Sequence, residues 1–174
     1  DYDTLASDSR GTPGLTADSY FGTYVQVPLN LGDNASGTTY GAELAVNWEL
    51  APNWMLSGTY TLLGMDIKGS STFVSSEAPS PNHQFSILSH YNFSNGIELD
   101  NMLYYVDQLT PSTGDVPQYF RFDTQVSWKI NDGLRLSLVG QNLLDDRHQE
   151  FSGFLYNQPV EIPRSVYAKA TWEF

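Results

Sequence analysis

The chain has 174 residues and no cysteine, which excludes a disulfide framework and a thiolate metal site. Its formal net charge of −12 comes from 20 acidic and 8 basic residues, and this argues against a nucleic-acid partner because phosphate binding requires clustered lysine and arginine. Aromatic residues make up 14% of the chain and charged residues only 16%, so it is rich in aromatics and poor in charge for a soluble domain.

Apolar and polar residues alternate with a period of two along most of the chain, which predicts β-strands. In chain order, the predicted strands cover residues 2–6, 41–50, 54–62, 84–93, 97–103, 119–130, 134–138 and 166–174. The last is the clearest, with Val166, Ala168 and Ala170 on one face and Tyr167 and Lys169 on the other. The pattern predicts an all-β, antiparallel fold of about eight strands.

The predicted connections between these strands alternate in length. Residues 51–53, 94–96 and 131–133 read as tight turns, with the Gly or Asn that left-handed turn positions favour. Residues 7–37, 68–81, 109–117 and 145–163 read as long loops. Short turns at one end of the strands and long loops at the other are typical of outer-membrane β-barrels.

All four tryptophans lie beside a short turn or the C-terminus, at Trp48, Trp54, Trp128 and Trp172. Because the indole ring prefers the headgroup layer, we interpret them as a membrane-interface girdle. No run of about 18 apolar residues occurs, so no transmembrane helix is predicted, and barrel strands need no such run. The chain is therefore predicted to be an antiparallel transmembrane β-barrel segment. The alternative is a soluble antiparallel sandwich, which would hide its apolar face in a core.

The opposite face of the predicted strands is polar, which suits an aqueous or plug-filled lumen. The inward residues are predicted to be Glu43, Asn47, Glu49, Ser57, Thr59, Thr61, Gln84, Ser86, His90, Glu98, Asp100, Arg121, Asp123, Gln125, Lys129, Arg135, Gln141, Lys169 and Glu173. Two ion pairs are expected between neighbouring inward residues, Asp123 with Arg135 and Lys129 with Glu173.

Four segments carry a resemblance to a known family. The run from Gly140 to His148, which contains Asn142-Leu143-Leu144-Asp145, resembles the segment before the last loop of TonB-dependent outer-membrane receptors. The runs 162–167 and 172–174 resemble that family's final strand, with its Pro-Arg entry and terminal Phe. Residues 39–44 are similar to its "Y-G-x-E" strand start, and residues 1–5 to the preceding strand. The matches recur in order over nearly the whole chain.

The resemblance implies a barrel of about 22 strands around an N-terminal plug, which imports a scarce nutrient such as a siderophore or cobalamin. Residues 1–174 would be its C-terminal barrel segment, without the plug, the TonB box and the N-terminal strands, and incomplete for transport alone. The first residues show neither an initiator Met nor a signal peptide, so we expect a piece of a longer protein.

The implied location is the outer membrane of a Gram-negative bacterium, and four partners follow. They are outer-membrane lipid, the remainder of the receptor, the barrel-assembly machinery, which would recognise Phe174, and the energising inner-membrane complex, reached through the plug. Eight strands also suffice to close a small barrel. A self-contained eight-stranded barrel with a structural or adhesive role is therefore the alternative.

Catalytic and metal sites find little support in the sequence. His83 and His90 fall on opposite faces of one strand, and no Gly-x-Ser-x-Gly elbow is present. His148 lies in an acidic loop without a known metal-binding spacing. We therefore predict no enzyme activity, no cofactor and no metal. Ligand contacts are expected from loops and the upper lumen, and the candidates are Tyr119, Arg121, Arg147, His148, Phe154 and Tyr156.

Overall fold

The computed structural model describes residues 2–68, 80–109, 115–152 and 159–173. All of the regular secondary structure in these ranges is β-strand, as the alternating sequence predicts. The strands are β1 (Tyr2–Arg10), β2 (Gly14–Asp18), β3 (Gly22–Gln26), β4 (Leu29–Ala51), β5 (Trp54–Lys68), β6 (His83–Asn92), β7 (Ile97–Val106), β8 (Tyr119–Asn131), β9 (Leu134–Gln141), β10 (Arg147–Phe151), β11 (Val160–Pro163) and β12 (Ser165–Trp172). The described residues contain no helix long and apolar enough to cross a membrane.

Eight of these strands form one sheet in the order β1-β4-β5-β6-β7-β8-β9-β12, and the pairings described along it are antiparallel. The predicted antiparallel fold of about eight strands is confirmed. The three predicted tight turns are also present, with Pro52 and Asn53 between β4 and β5, residues 93–96 between β6 and β7, and Asp132 and Gly133 between β8 and β9. Successive hairpins place these turns at one end of the strands, which we call the turn end, and the long connections at the other, the loop end.

Two of the predicted loops are wrong in part, because they contain strands. β1 continues to Arg10 and β4 begins at Leu29, and the hairpin β2–β3 lies between them. The hairpin β10–β11 occupies part of residues 145–163. In β3 every side chain is exposed, so the strand shows no apolar face by which the sequence could reveal it. The Asp18 carboxylate accepts the backbone N–H groups of Phe21 and Tyr20, which closes the β2–β3 turn and lowers the pKa of Asp18.

The chain divides into two compact units, Asp1–Tyr40 with Gly64–Pro79, and Gly41–Leu63 with Ser80–Phe174. The first contains the β1–β4 pairing and the β2–β3 hairpin, and the second contains the pairings from β5 to β12. In the second unit, the register of β5 to β8 makes Thr59, Ser86, Tyr104 and Arg121 successive partners on the inward face. The adjacent positions Gly58, Ile87, Leu103 and Phe122 are successive partners on the outward face.

The sheet has almost no hydrophobic core in the part of the chain that the structure describes. Only Val116 and Val139, 2% and 7% exposed, are buried hydrophobic residues there. Outward apolar side chains are instead exposed, among them Leu44, Val46, Ile87, Phe120, Val126, Leu136 and Leu138. A soluble sandwich depends on burial of that face, so this observation argues against it.

Close contacts at Gly41 and Gly64 account for the Tyr-Gly pair at residues 40 and 41. In the first unit, the Tyr40 ring lies against Gly64, and a Cβ at Gly64 would overlap it. In the second unit, a Cβ at Gly41 would overlap the carbonyl oxygen of Leu62. Backbone can approach backbone this closely only where no side chain intervenes.

We expect Gly41→Val to destabilise the sheet by about 2 kcal/mol, because the added side chain must push the β5 backbone away. Gly58→Val is the matched control, since the nearest atom to a Cβ there is the Ser86 carbonyl oxygen at 3.8 Å. Thermal unfolding in detergent, followed by circular dichroism, measures both. Equal melting temperatures for the two variants would contradict the prediction.

Candidate functional site

The four tryptophans lie at the turn end of the sheet and are exposed, between 40% and 76%. Trp54 pairs with Tyr91, Trp128 with Ile97 and Leu136, and Trp172 with Leu134, all on the outward face. We call these residues, together with Trp48, the tryptophan row. Their position agrees with the predicted girdle, and their contact with a membrane remains a prediction.

A second aromatic row crosses the outward face towards the loop end. Tyr60, Phe85, Tyr105 and Phe120 are successive partners across β5 to β8, and we call them the outer aromatic row. The Phe85 and Tyr105 rings stack at 5.3 Å, and Tyr105 and Phe120 lie 4.8 Å apart. The sequence analysis missed this row, because each residue is an ordinary apolar position in its own strand and only the register brings the four to one level.

The two rows bound a band of mostly apolar outward residues, which Ser89, Asn101 and Thr124 interrupt at one level. Phe120 and Trp128 are eight residues apart on β8, which is about 26 Å along a strand and about 20 Å perpendicular to a bilayer for a strand tilted by about 40°. Outer-membrane barrels carry an apolar band of similar height between two aromatic girdles. The Tyr60 hydroxyl lies 2.8 Å from His83 Nδ1, so the outer row also has a polar edge.

The inward face carries ion pairs and hydrogen bonds. At the turn end, His90 Nδ1 lies 2.5 Å from Asp100 Oδ1, and its Nε2 accepts from Asn92 Nδ2 at 3.0 Å. Arg135 forms an ion pair with Glu98. At the level of Glu98, the hydroxyls of Ser127 and Ser137 share a hydrogen bond of 2.9 Å. The predicted polar inward face is therefore present in these strands.

Both expected ion pairs are wrong. Asp123 pairs with Arg121 two positions along the same strand, and Arg135 reaches Glu98 on β7 instead. Lys129 pairs with Asp132 of the adjacent turn, and this lowers the pKa of Asp132. Side chains two residues apart share a face, and long side chains reach beyond the nearest strand, so strand adjacency alone did not decide the partners.

Asn142 joins three segments at the loop end of the inward face. Its backbone N–H donates to Asp123 Oδ1 at 2.9 Å, and its Nδ2 donates to the carbonyl oxygen of Ile162 at 2.9 Å. Its Oδ1 accepts from His148 Nδ1 at 3.1 Å. The residue is 0% exposed and adopts the left-handed φ of 52° that Asn tolerates. This is the physical reason for the Asn in the Asn-Leu-Leu-Asp segment.

His148 is buried beside this asparagine, with 7% of its surface exposed. Its Nε2 lies 2.9 Å from Glu150 Oε1, and its ring stacks on Tyr119 at 4.1 Å. Both hydrogen-bond partners of the ring present oxygen. Satisfying both contacts requires a proton on each ring nitrogen or one on the Glu150 carboxyl.

The structure brings three of the six candidate ligand residues together. Tyr119 and His148 are stacked, and Arg121 donates from Nε and Nη2 to Asp123 at 3.0 and 2.6 Å and lies over the Tyr104 ring. Arg147 pairs with Glu161 in the hairpin β10–β11 instead. Phe154 and Tyr156, like the predicted assembly residue Phe174, lie outside the described residues. Ligand contact by these side chains stays a prediction.

The structure places no metal-binding group of three or more His, Asp or Glu side chains within the described ranges. His83 pairs with Leu62 on the outward face and His90 with Met55 on the inward face, so the predicted separation of these two histidines is confirmed.

The sequence matches the family described as "TonB dependent receptor-like, beta-barrel" over residues 1–143. Similar solved structures include the siderophore receptor PiuA from Acinetobacter baumannii, with a TM-score of 0.66 and 21% identity over 83% of this chain and 23% of that chain. The closed form of the ferric-catecholate import receptor Fiu from E. coli K12 gives a TM-score of 0.66 and 18% identity over 96% of this chain and 24% of that chain. The copper transporter OprC gives a TM-score of 0.61 and 15% identity over 97% of this chain and 28% of that chain. These likenesses show the fold, and this chain spans about a quarter of each.

An antiparallel sheet with an exposed apolar band between two aromatic rows, and with ion pairs on its other face, defines the class of β-barrel membrane proteins. Within that class, the match over residues 1–143 is decisive. The chain belongs to the TonB-dependent receptor-like β-barrel family, as its sequence motifs indicate. These matches do not favour the alternative of a self-contained eight-stranded barrel.

Proposed function

We propose that this chain is the C-terminal barrel segment of an outer-membrane receptor that takes up a scarce nutrient in a TonB-dependent manner. It lies in the outer membrane of a Gram-negative bacterium, acts without catalysis, and is incomplete for transport alone. The remainder of the receptor supplies the plug, and the plug contacts the energising inner-membrane complex. The barrel-assembly machinery inserts the strands, with Phe174 as its signal.

One observation carries this proposal: a chain of the receptor family exposes an apolar band between two aromatic rows while it keeps its charged side chains on the opposite face. The band suits acyl chains, and the charged face suits a wet lumen or a polar plug. The ferric-catecholate, siderophore and copper proteins with this fold differ in what they carry. We therefore propose a chelated metal or a similar scarce nutrient as the cargo class.

The uptake test compares a strain that lacks the gene for this chain with its parent. Growth is measured under limitation by iron, copper or cobalamin, with siderophores, copper complexes and cobalamin supplied in turn. We expect one nutrient to lose its growth benefit in the deletion strain and to regain it when the intact gene is restored. Unchanged growth and uptake across the whole panel would overturn the transport proposal.

Membrane contact is tested by spin labels in reconstituted vesicles. Labels at the outward positions Leu136, Phe122 and Ala170 should be more accessible to oxygen than to a water-borne relaxation agent, because acyl chains dissolve oxygen and exclude the polar agent. Labels at the inward positions Gln125 and Lys169 are the controls and should show the reverse order. If the outward labels were as accessible to the water-borne agent as the control labels, a lipid-facing band would be excluded.

A further inference from the structure

A shallow groove of about 400 Å³ interrupts the outward face within the second unit. Its walls are Leu44 and Val46 on β4, Tyr60 on β5, and Phe85 and Ile87 on β6. The groove lies directly on the turn-end side of Tyr60 and Phe85, two members of the outer aromatic row. Its exposed lining is almost wholly apolar, as a site for a hydrocarbon requires.

Gly58 creates this groove. It is the partner of Ile87 across the β5–β6 pair, and without a side chain it leaves a gap between the outward residues of β4 and β6. The floor is backbone, held on the inward side by the hydrogen bond of 2.7 Å between the Thr59 and Ser86 hydroxyls. A Cβ at Gly58 would meet only the Ser86 carbonyl oxygen at 3.8 Å, so glycine is not required there by crowding, in contrast to Gly41.

We propose that this groove binds one acyl chain of lipopolysaccharide, and this inference rests on the proposed outer-membrane location. The groove is continuous with the lipid-facing band and adjoins the boundary of that band at the loop end. The tryptophan row is farther away, since Trp54 lies six residues from Tyr60 along β5. A chain seated there belongs to the leaflet at the loop end, which is the outer leaflet. In a Gram-negative outer membrane that leaflet consists of lipopolysaccharide.

The mouth of the groove matches the end of such a chain. The Tyr60 hydroxyl and the exposed His83 ring form a hydrogen-bonded pair at the level where an acyl chain meets its polar linkage. Apolar walls below and a polar pair above reproduce the polarity profile of the chain itself. An acyl chain in the gap at Gly58 contacts apolar walls on both sides, so it gains more dispersion contacts than a chain on the flat outward face. A lipid held in this way should exchange more slowly with the membrane.

The test measures retained lipid by native mass spectrometry of the intact receptor, purified from outer membranes in mild detergent. The wild type should keep one lipopolysaccharide, and Gly58→Leu, which fills the groove, should retain at least tenfold less. Ala170→Leu is the matched control, because it adds a similar side chain on the outward face of β12, away from the groove. Its retention should equal that of the wild type.

Three results would overturn the inference: equal retention by Gly58→Leu and wild type, phospholipid in place of lipopolysaccharide, or a dimer that covers the groove. If Gly58→Leu fails to fold, Val46→Phe fills the groove from the opposite wall and must lower retention in its place. Nutrient uptake is measured in the same variants. A wild type that retains the lipid but takes up no nutrient contradicts the transport proposal alone. A wild type that takes up the nutrient, with equal lipid retention in Gly58→Leu, contradicts this inference alone.

Discussion

Replacing Asn142 by alanine should lower the free energy of unfolding by about 3 kcal/mol. The substitution removes the side-chain donor to the Ile162 carbonyl and the acceptor of the His148 ring N–H, and loss of a buried hydrogen-bond partner costs about 1–3 kcal/mol. Alanine also tolerates the left-handed φ of 52° less well than asparagine. Urea unfolding in detergent, followed by tryptophan fluorescence, measures the change.

Asn142→Gly separates the two causes of this loss. Glycine adopts a positive φ without strain but also lacks the side-chain hydrogen bonds, so its destabilisation should fall between that of alanine and the wild type. Asn131→Ala is the exposed control. It removes an asparagine oxygen that accepts from the Gly133 N–H in a solvated turn, and it should change stability much less. An Asn142→Ala variant as stable as Asn131→Ala would refute the role assigned to Asn142.

Asp123→Ala should destabilise the same region by about 2 kcal/mol, because it leaves the partly buried Arg121 guanidinium without its carboxylate. It also removes the acceptor of the Asn142 backbone N–H. Asp123→Asn should be milder, since an amide oxygen can still accept that N–H. The coupling between positions 121 and 123 is measured by a double-mutant cycle with Arg121→Met.

The ion pair of Lys129 with Asp132 provides the comparison. Asp132 is fully exposed in the turn, and exposed pairs contribute little because water and salt screen them. Asp132→Ala should therefore leave the free energy of unfolding almost unchanged. Similar losses for Asp123→Ala and Asp132→Ala would show that partial burial does not strengthen the Arg121–Asp123 pair.

These two predictions concern the surroundings of the candidate ligand residues. Tyr119, Arg121 and His148 are held by stacking, by Asp123 and by Asn142, so the side chains proposed to face a ligand are already fixed in position. Fixed side chains lose little further conformational freedom when a ligand binds. Weaker packing at Asn142 or Asp123 should therefore also weaken binding by residues that these substitutions leave in place.

Much of the fold could be predicted from the sequence because a pleated strand points successive side chains to opposite faces. Runs such as residues 119–130 and 166–172 reveal their strands by alternation alone, and Pro52, Gly96 and Gly133 mark the turns. The strands of the β2–β3 hairpin escaped prediction because both of their faces are polar or exposed. Alternation is informative only where the two faces meet different media.

The sequence by itself determined the eight strands of the main sheet, their inward and outward faces, the tight turns and the family. Each of these depends on residues close together in the chain or on a short motif. Only the tertiary structure decided which charges pair, that four aromatic residues stand at one level, and that Asn142 joins β8 to the segments around His148 and Ile162. Those features depend on the register between strands, which is set by pairing across tens of residues and by how far each side chain reaches.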